Sequence, residues 1–247
     1  MQTNSNKTNP NKTNSNKTNK KKITALISGG KDSVFAAYKL IQKGYSICSF
    51  VCLAPENKES YMFHSINMNL VKDISKACDI PLCFYPTKGI KEEELNELKA
   101  AIEIQKEKYK IDGVSSGAVE SVYQKSRIDN ICKELEIESL TPLWQKDPET
   151  LLKEMVECGM DIRIAAVAAD GLDESYLGEK IDPEMIEKLK YLNKKKYVHI
   201  AGEGGEYETA VLDAPFFKKR IVPISFKKEW NGNRGFFYIE ETKLENK

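Results

Sequence analysis

Metal-binding signals are scarce in this chain. It carries two histidines, His64 and His199, and its six cysteines at 48, 52, 78, 83, 132 and 158 never fall as C-x-x-C. These spacings match no zinc or iron–sulfur pattern and read instead as reduced, buried thiols of a cytosolic protein. No apolar run approaches the roughly 18 residues that a membrane span needs. The first residues are polar and lack an apolar h-region, so no secretory leader is expected. A broad basic surface is missing too. The chain has 38 Lys and Arg against 37 Asp and Glu, but six of the lysines lie in residues 1–22. The remaining 32 basic residues face 37 acids, which argues against a stable nucleic-acid partner.

Residues 5–19 repeat SNKTN, PNKTN, SNKTN. Such a tract cannot bury a core, so a disordered, solvated tail is expected over 1–22. With no leader expected, its three Asn-Lys-Thr sequons, at Asn6, Asn11 and Asn16, read as chance products of the repeat. Beyond it, candidate strands at 23–28, 46–53, 82–85 and 111–115 alternate with candidate helices at 32–43, 66–78, 91–107 and 119–135. This β-α-β alternation predicts an α/β domain over 23–140, with a parallel sheet covered on both faces. A smaller α+β lobe is expected over 141–247. There Asp147-Pro148-Glu149 and Asp182-Pro183-Glu184 each read as N-cap, N1 proline and acidic first turn, opening helices 149–158 and 184–193. Strands are expected at 162–169, 197–201 and 208–212, followed by an aromatic-rich run to Tyr238.

The most informative segment is Ser28-Gly29-Gly30-Lys31-Asp32-Ser33, which follows the apolar run 23–27 and precedes helical spacing. Glycines allow a sharp turn and close backbone approach to a ligand. A helix N-terminus offers N–H groups and a favourable dipole to an anion. The segment is neither G-x-x-x-x-G-K-[ST] nor G-x-G-x-x-G. It reads as a nucleotide phosphate site at the carboxyl end of a strand, and hence as part of an ATP-consuming enzyme.

Two other constellations stand out. Gly202-Glu203-Gly204-Gly205-Glu206-Tyr207-Glu208-Thr209 threads three carboxylates and a tyrosine through glycines. It suits a metal, an ammonium ion or a cationic group, or else it is an acidic turn. Glu120, Tyr123, Gln124, Arg127 and Ile131 share one helical stripe. Arg127 there either meets a phosphate or carboxylate or snorkels at the helix edge. His64, in Tyr61–Asn67, reads either as a ligand contact or as a structural residue among aromatics. His199 falls inside an expected strand and reads as a core residue.

The form S-G-G-x-D-S resembles the PP-loop of ATP pyrophosphatases, which split ATP between its α- and β-phosphates. That resemblance implies that Ser28, Ser33 and the amides around Gly29 and Gly30 hold pyrophosphate, that Lys31 adds positive charge, and that Asp32 helps to hold Mg²⁺. SGGKDS at 28–33, YMFHSIN at 61–67, SGAVESVYQKSR at 116–127, PLW at 142–144, ADGLDESYLGEKID at 169–182 and GEGGEYETAVLDAP at 202–215 together resemble the diphthine–ammonia ligase family. The length resembles its short archaeal type. The family implies ATP-dependent amidation of diphthine to diphthamide on translation elongation factor 2, with AMP and pyrophosphate as products. It implies ATP and Mg²⁺ as cofactors, ammonium as the nitrogen source and a cytoplasmic location. In that frame Glu203 and Glu206 are candidates to hold ammonium or take its proton. Tyr207, with Glu208 nearby, suits the trimethylammonium group of diphthine. His64, Ser116, Tyr123 and Arg127 complete the candidate substrate contacts. Two rivals are a PP-loop enzyme acting on another substrate, such as tRNA, and a non-catalytic adenine-nucleotide-binding module. A tRNA thiolase would use catalytic cysteines, commonly in a C-x-x-C that is missing here, and a module would not need the 202–209 carboxylates.

Overall fold

A computed structural model of the chain describes residues 20–55, 67–90 and 93–247. The repeat tail and His64 lie outside the described residues. The first half forms a five-stranded, wholly parallel sheet in the order β3-β2-β1-β4-β5. Its strands are β1 (Lys22–Leu26), β2 (Ser46–Pro55), β3 (Leu82–Thr87), β4 (Gly113–Ser115) and β5 (Glu138–Leu140), joined through α1 (Lys31–Gln42), α2 (Met68–Cys78), α3 (Glu93–Tyr109) and α4 (Val122–Glu134). Successive strand side chains point to opposite faces. In β2, Phe50 and Cys52 pack with Phe35 of α1 and Ile74 of α2, whereas Val51 and Leu53 pack with Leu98 and Ile102 of α3 and Ile128 of α4. That double burial is why β2 reads as a continuous apolar run. The strand order reverses between β1 and β4, so the loops leaving these two strands open a crevice.

The second half adds α5 (Pro148–Glu157), β6 (Asp161–Val167), α6 (Pro183–Lys196), β7 (Tyr207–Asp213), β8 (Lys219–Trp230) and β9 (Gly235–Asn246). Its antiparallel sheet runs β7-β6-β9-β8. Asp147 and Asp182 cap α5 and α6 as their sequence signals require, accepting from Thr150 N–H and Met185 N–H at 2.8 Å each. The two sheets share one of the two cores. Phe35 of α1, Leu151 and Met155 of α5, Ile162 of β6, Leu189 of α6 and Val211 of β7 belong to one apolar cluster.

Three features depart from the sequence expectations. Helix α6 continues to Lys196, Tyr197 takes a left-handed conformation (φ 59°), and 197–206 is a loop rather than a strand followed by a turn. The amides of residues 199, 201, 203 and 204 are taken by the side chains of Glu206 and His199, which leaves that stretch no ladder partners. Helix α4 starts at Val122 because Ser121 caps it, accepting from Gln124 N–H at 3.2 Å, so Glu120 lies ahead of the helix. The edge strand β5, three residues long, carried no usable period.

Candidate active site

Strand β1 ends at Leu26, Gly29 turns the chain at φ +87°, and α1 begins at Lys31 with no side chain capping its N-terminus. Serine hydroxyls shape the turn. Ser33 Oγ donates to Gly30 O at 3.0 Å, lies 3.2 Å from Ser28 Oγ, and accepts from Ser28 N–H at 3.2 Å. The second lobe clamps this loop. Lys31 N–H donates to Thr209 Oγ1 at 3.0 Å, and Val211 N–H donates to Gly29 O at 3.0 Å. The loop after β4 presses on the same place. A Cβ on Gly117 would fall 2.6 Å from Ser33 N and 2.7 Å from the Asp32 carbonyl carbon.

Lys31 is buried, with its side chain 5% exposed, and its Nζ pairs with Asp32 Oδ2 at 2.7 Å. The other oxygen, Asp32 Oδ1, is buried without a hydrogen-bond partner in the protein. A single carboxylate with one oxygen left over suits Mg²⁺, which is commonly held by one or two carboxylates together with substrate phosphates. Among the described residues no group of three or more His, Cys, Asp and Glu side chains forms a closed metal cage. The uncapped helix N-terminus, the two serines and the buried ammonium suit a polyphosphate.

Opposite lies the 202–209 segment. The Glu203 carboxyl is pushed up to about 7, first by burial and then by the neighbouring Asp32 charge, against the pull of Lys31 and a hydrogen bond from Glu120 N–H. Glu206 is turned into its own loop, where Oε1 accepts from His199 N–H and Oε2 from Gly204 N–H, each at 2.9 Å. Tyr207 is buried, and its hydroxyl donates to Ile200 O at 2.6 Å. Burial pushes that phenol well above its ordinary range. The Tyr207 ring centroid lies 5.8 Å from Lys31 Nζ. His199, expected in the core, instead organises this turn.

A cavity of about 340 Å³ joins these parts. Ser28, Gly30, Lys31, Asp32 and Ser33 line one end, Ser116 and Gly117 one side, and Glu203, Tyr207, Glu208 and Thr209 the other, over an apolar floor of Leu26, Val51, Leu53, Leu98 and Ile128. The structure thus brings Lys31, Asp32, Ser116, Glu203, Tyr207 and Glu208 together. Gly29 shapes the loop from behind. Tyr123 and Arg127 stack on each other, with the guanidinium carbon 3.3 Å from the ring centroid. Neither is part of the lining, where Gln124 and Ser121 represent that helix end. Glu206 is not part of it either. Sequence reasoning passed over Thr209, Gly117 and His199. The first two sat inside quoted motifs, whereas nothing in the local pattern separated His199 from a core residue.

Fold and loop define an α/β protein with a parallel sheet, a glycine–serine turn that resembles the PP-loop and a carboxylate-bearing second lobe. Family models described as the diphthamide synthase N-terminal and C-terminal domains match residues 21–139 and 147–244. Diphthine–ammonia ligases from Homo sapiens and Danio rerio are each 37% identical, over 81% of this chain and 82% and 86% of theirs. One from Schizosaccharomyces pombe is 38% identical over 81% of this chain but 36% of its own length. A solved structure described as a predicted subunit of tRNA methyltransferase from Methanocaldococcus jannaschii covers 79% of this chain and 98% of its own, at 17% identity and a TM-score of 0.40, too distant a likeness to argue from. The chain belongs to the diphthine–ammonia ligase family.

Proposed function

We propose that the chain amidates diphthine to diphthamide on translation elongation factor 2, using ATP and ammonium and releasing AMP and pyrophosphate. The observation that carries this reading is one cavity with a pyrophosphate-type loop at one end and a carboxyl of pKa about 7 at the other. A carboxylate has no good leaving group for amide formation. Attack of the diphthine carboxylate oxygen on the α-phosphorus forms an acyl-adenylate and breaks the bond to the β-phosphate oxygen. The pyrophosphate leaves with the electron pair, and Lys31 with the Ser28–Ser33 turn stabilises that charge. Ammonia nitrogen then attacks the acyl carbon and AMP departs with the C–O electron pair. Glu203, a stronger base than an ordinary carboxylate because it is buried, takes the proton. Glu206 holds the loop that presents it. Asp32 Oδ1 is the group that would hold Mg²⁺, which supplies charge neutralisation on the phosphates when bound. Ser116, Tyr207 and Glu208 border the space for the modified histidine. Tyr123 and Arg127, stacked beyond that wall, and His64 enter this reading from sequence resemblance. Among the described residues no helix is long and apolar enough to cross a membrane, and this reading puts the chain in the cytoplasm beside its substrate.

The test is incubation with ATP, ammonium and diphthine-bearing elongation factor 2. AMP, pyrophosphate and the amide should form in equal amounts. ADP formation, or ATP binding without turnover, overturns the reading.

A further inference from the structure

The loop that carries Glu203 is held by a side chain outside the chemistry described so far. His199 Nδ1 accepts from Ala201 N–H at 3.1 Å and from Glu203 N–H at 3.3 Å. An Nδ1 that accepts two amides carries no proton, so the ring proton sits on Nε2. Nε2 lies 3.4 Å from Glu120 Oε2, in the loop that follows β4. The backbone N–H of that same Glu120 donates to the Glu203 carboxylate. The imidazole therefore stands between two turns from different halves of the chain, and the residue that braces it also contacts the carboxylate it orients. Backbone at 199 and 204 is fixed from the other side by Glu206. Three glycines, at 202, 204 and 205, leave this loop little stiffness of its own, so external bonds must supply it.

We propose that His199 is the positioning residue for Glu203: its ring, braced by Glu120, holds the 201–203 turn so that the Glu203 carboxylate faces the Lys31–Asp32 end of the cavity. This rests on the reading of Glu203 as proton acceptor. The groups that face Glu203 are Asp32 and Lys31 from α1, Glu120 from the loop after β4, and Tyr207 from β7.

Amidation by the full chain, followed against pH, tests the proposal. His199→Ala should lower kcat by about tenfold or more while ATP KM stays within about twofold, since misplacing a reacting group by about 1 Å can cost a hundredfold. The acidic limb of its rate profile should also move below that of the wild type, because a loosened turn lets water reach Glu203. His199→Asn places an amide oxygen near the Nδ1 position and should restore most of the rate and the limb. Glu120→Gln keeps an acceptor for the Nε2 proton and should keep kcat. An unmoved limb and unchanged kcat in His199→Ala, or an Asn variant no better than Ala, overturns the proposal. Should His199→Ala fail to fold, Glu120→Ala removes the brace from a half-exposed site, and an unchanged kcat there overturns it. Glu203→Gln separates the two layers. Full activity in Glu203→Gln sinks both, whereas an inactive Glu203→Gln with a normal His199→Ala sinks only the positioning role.

Discussion

Gly117→Ala isolates one contact, the approach of the loop after β4 to the start of α1. The added methyl would sit 2.6 Å from Ser33 N, 2.7 Å from the Asp32 carbonyl carbon and 2.9 Å from Ser33 Cα, whereas ordinary contact begins at 3.4 Å. The two backbones must therefore part by about 0.8 Å, and neither has a flexible side chain to move instead. On one side stand the bonds from Lys31 N–H to Thr209 Oγ1 and from Val211 N–H to Gly29 O. On the other stand those from Ser116 N–H to Leu140 O at 3.0 Å and from Gln145 N–H to Val119 O at 2.8 Å. Overpacking of this kind costs about 1–3 kcal/mol, which in a domain of this size lowers Tm by about 3–10 °C. The displaced atoms include the first amides of α1, so ATP KM should rise by about tenfold or more. Scanning calorimetry and steady-state pyrophosphate release measure the two effects. Gly44→Ala is the control. It sits at φ +89° with open space around its Cβ position, so it should cost about 1 kcal/mol and leave ATP KM alone. A Gly117→Ala protein with wild-type Tm and ATP KM would refute the close-approach argument.

Other outcomes follow from the same geometry. Glu203 has a raised folded pKa near 7, so its ionisation removes stability as pH rises from about 4.5 toward 7. Glu203→Gln should therefore be more stable than wild type above pH 7, by about 1–3 kcal/mol after allowing for solvent screening, and the gap should close toward pH 4.5 in urea titrations. Lys31→Met leaves the Asp32 carboxylate without its partner beside Glu203; it should cost about 3 kcal/mol and lower pyrophosphate release at least a hundredfold, with a near-normal rate counting against the role of Lys31. Thr209→Val removes the acceptor of Lys31 N–H and should cost about 1 kcal/mol, with Thr209→Ser recovering it in thermal melts. Burial pushes the Cys52 thiol up to about 12, so maleimide at pH 8 should leave Cys52 unmodified in mass spectra of the native protein.

Much of the framework was legible because its signals are local. Alternating apolar runs and helical spacing marked the parallel sheet, the Asp-Pro-Glu caps marked α5 and α6, and Gly29-Gly30 before a helix marked the sharp turn into α1. What escaped depends on contacts between distant segments. No local period distinguishes an alternating loop from a strand, so 197–201 carries a strand-like pattern although Glu206 and His199 take the amides of its loop. Glu206 and Glu203 look equivalent in sequence, yet one is consumed by its own loop and the other faces the cavity. Tyr123 and Arg127 share the stripe with Gln124, but stacking on each other takes them out of the cavity wall. Gly117 matters only because another backbone passes within reach of its missing side chain.

The strand that follows the carboxylate loop is also bonded to the Ser28–Ser33 turn, through Thr209 and Val211. Ligand binding and folding are therefore thermodynamically linked across the chain. Any ligand that tightens the turn also lowers the population of states in which β7 has peeled away. Because Phe35 and Val211 share one apolar cluster, such peeling exposes core from both halves at once. The same linkage predisposes the two halves to fail together when cut apart, and makes amide exchange in β7 a remote reporter of what occupies the Ser28–Ser33 turn.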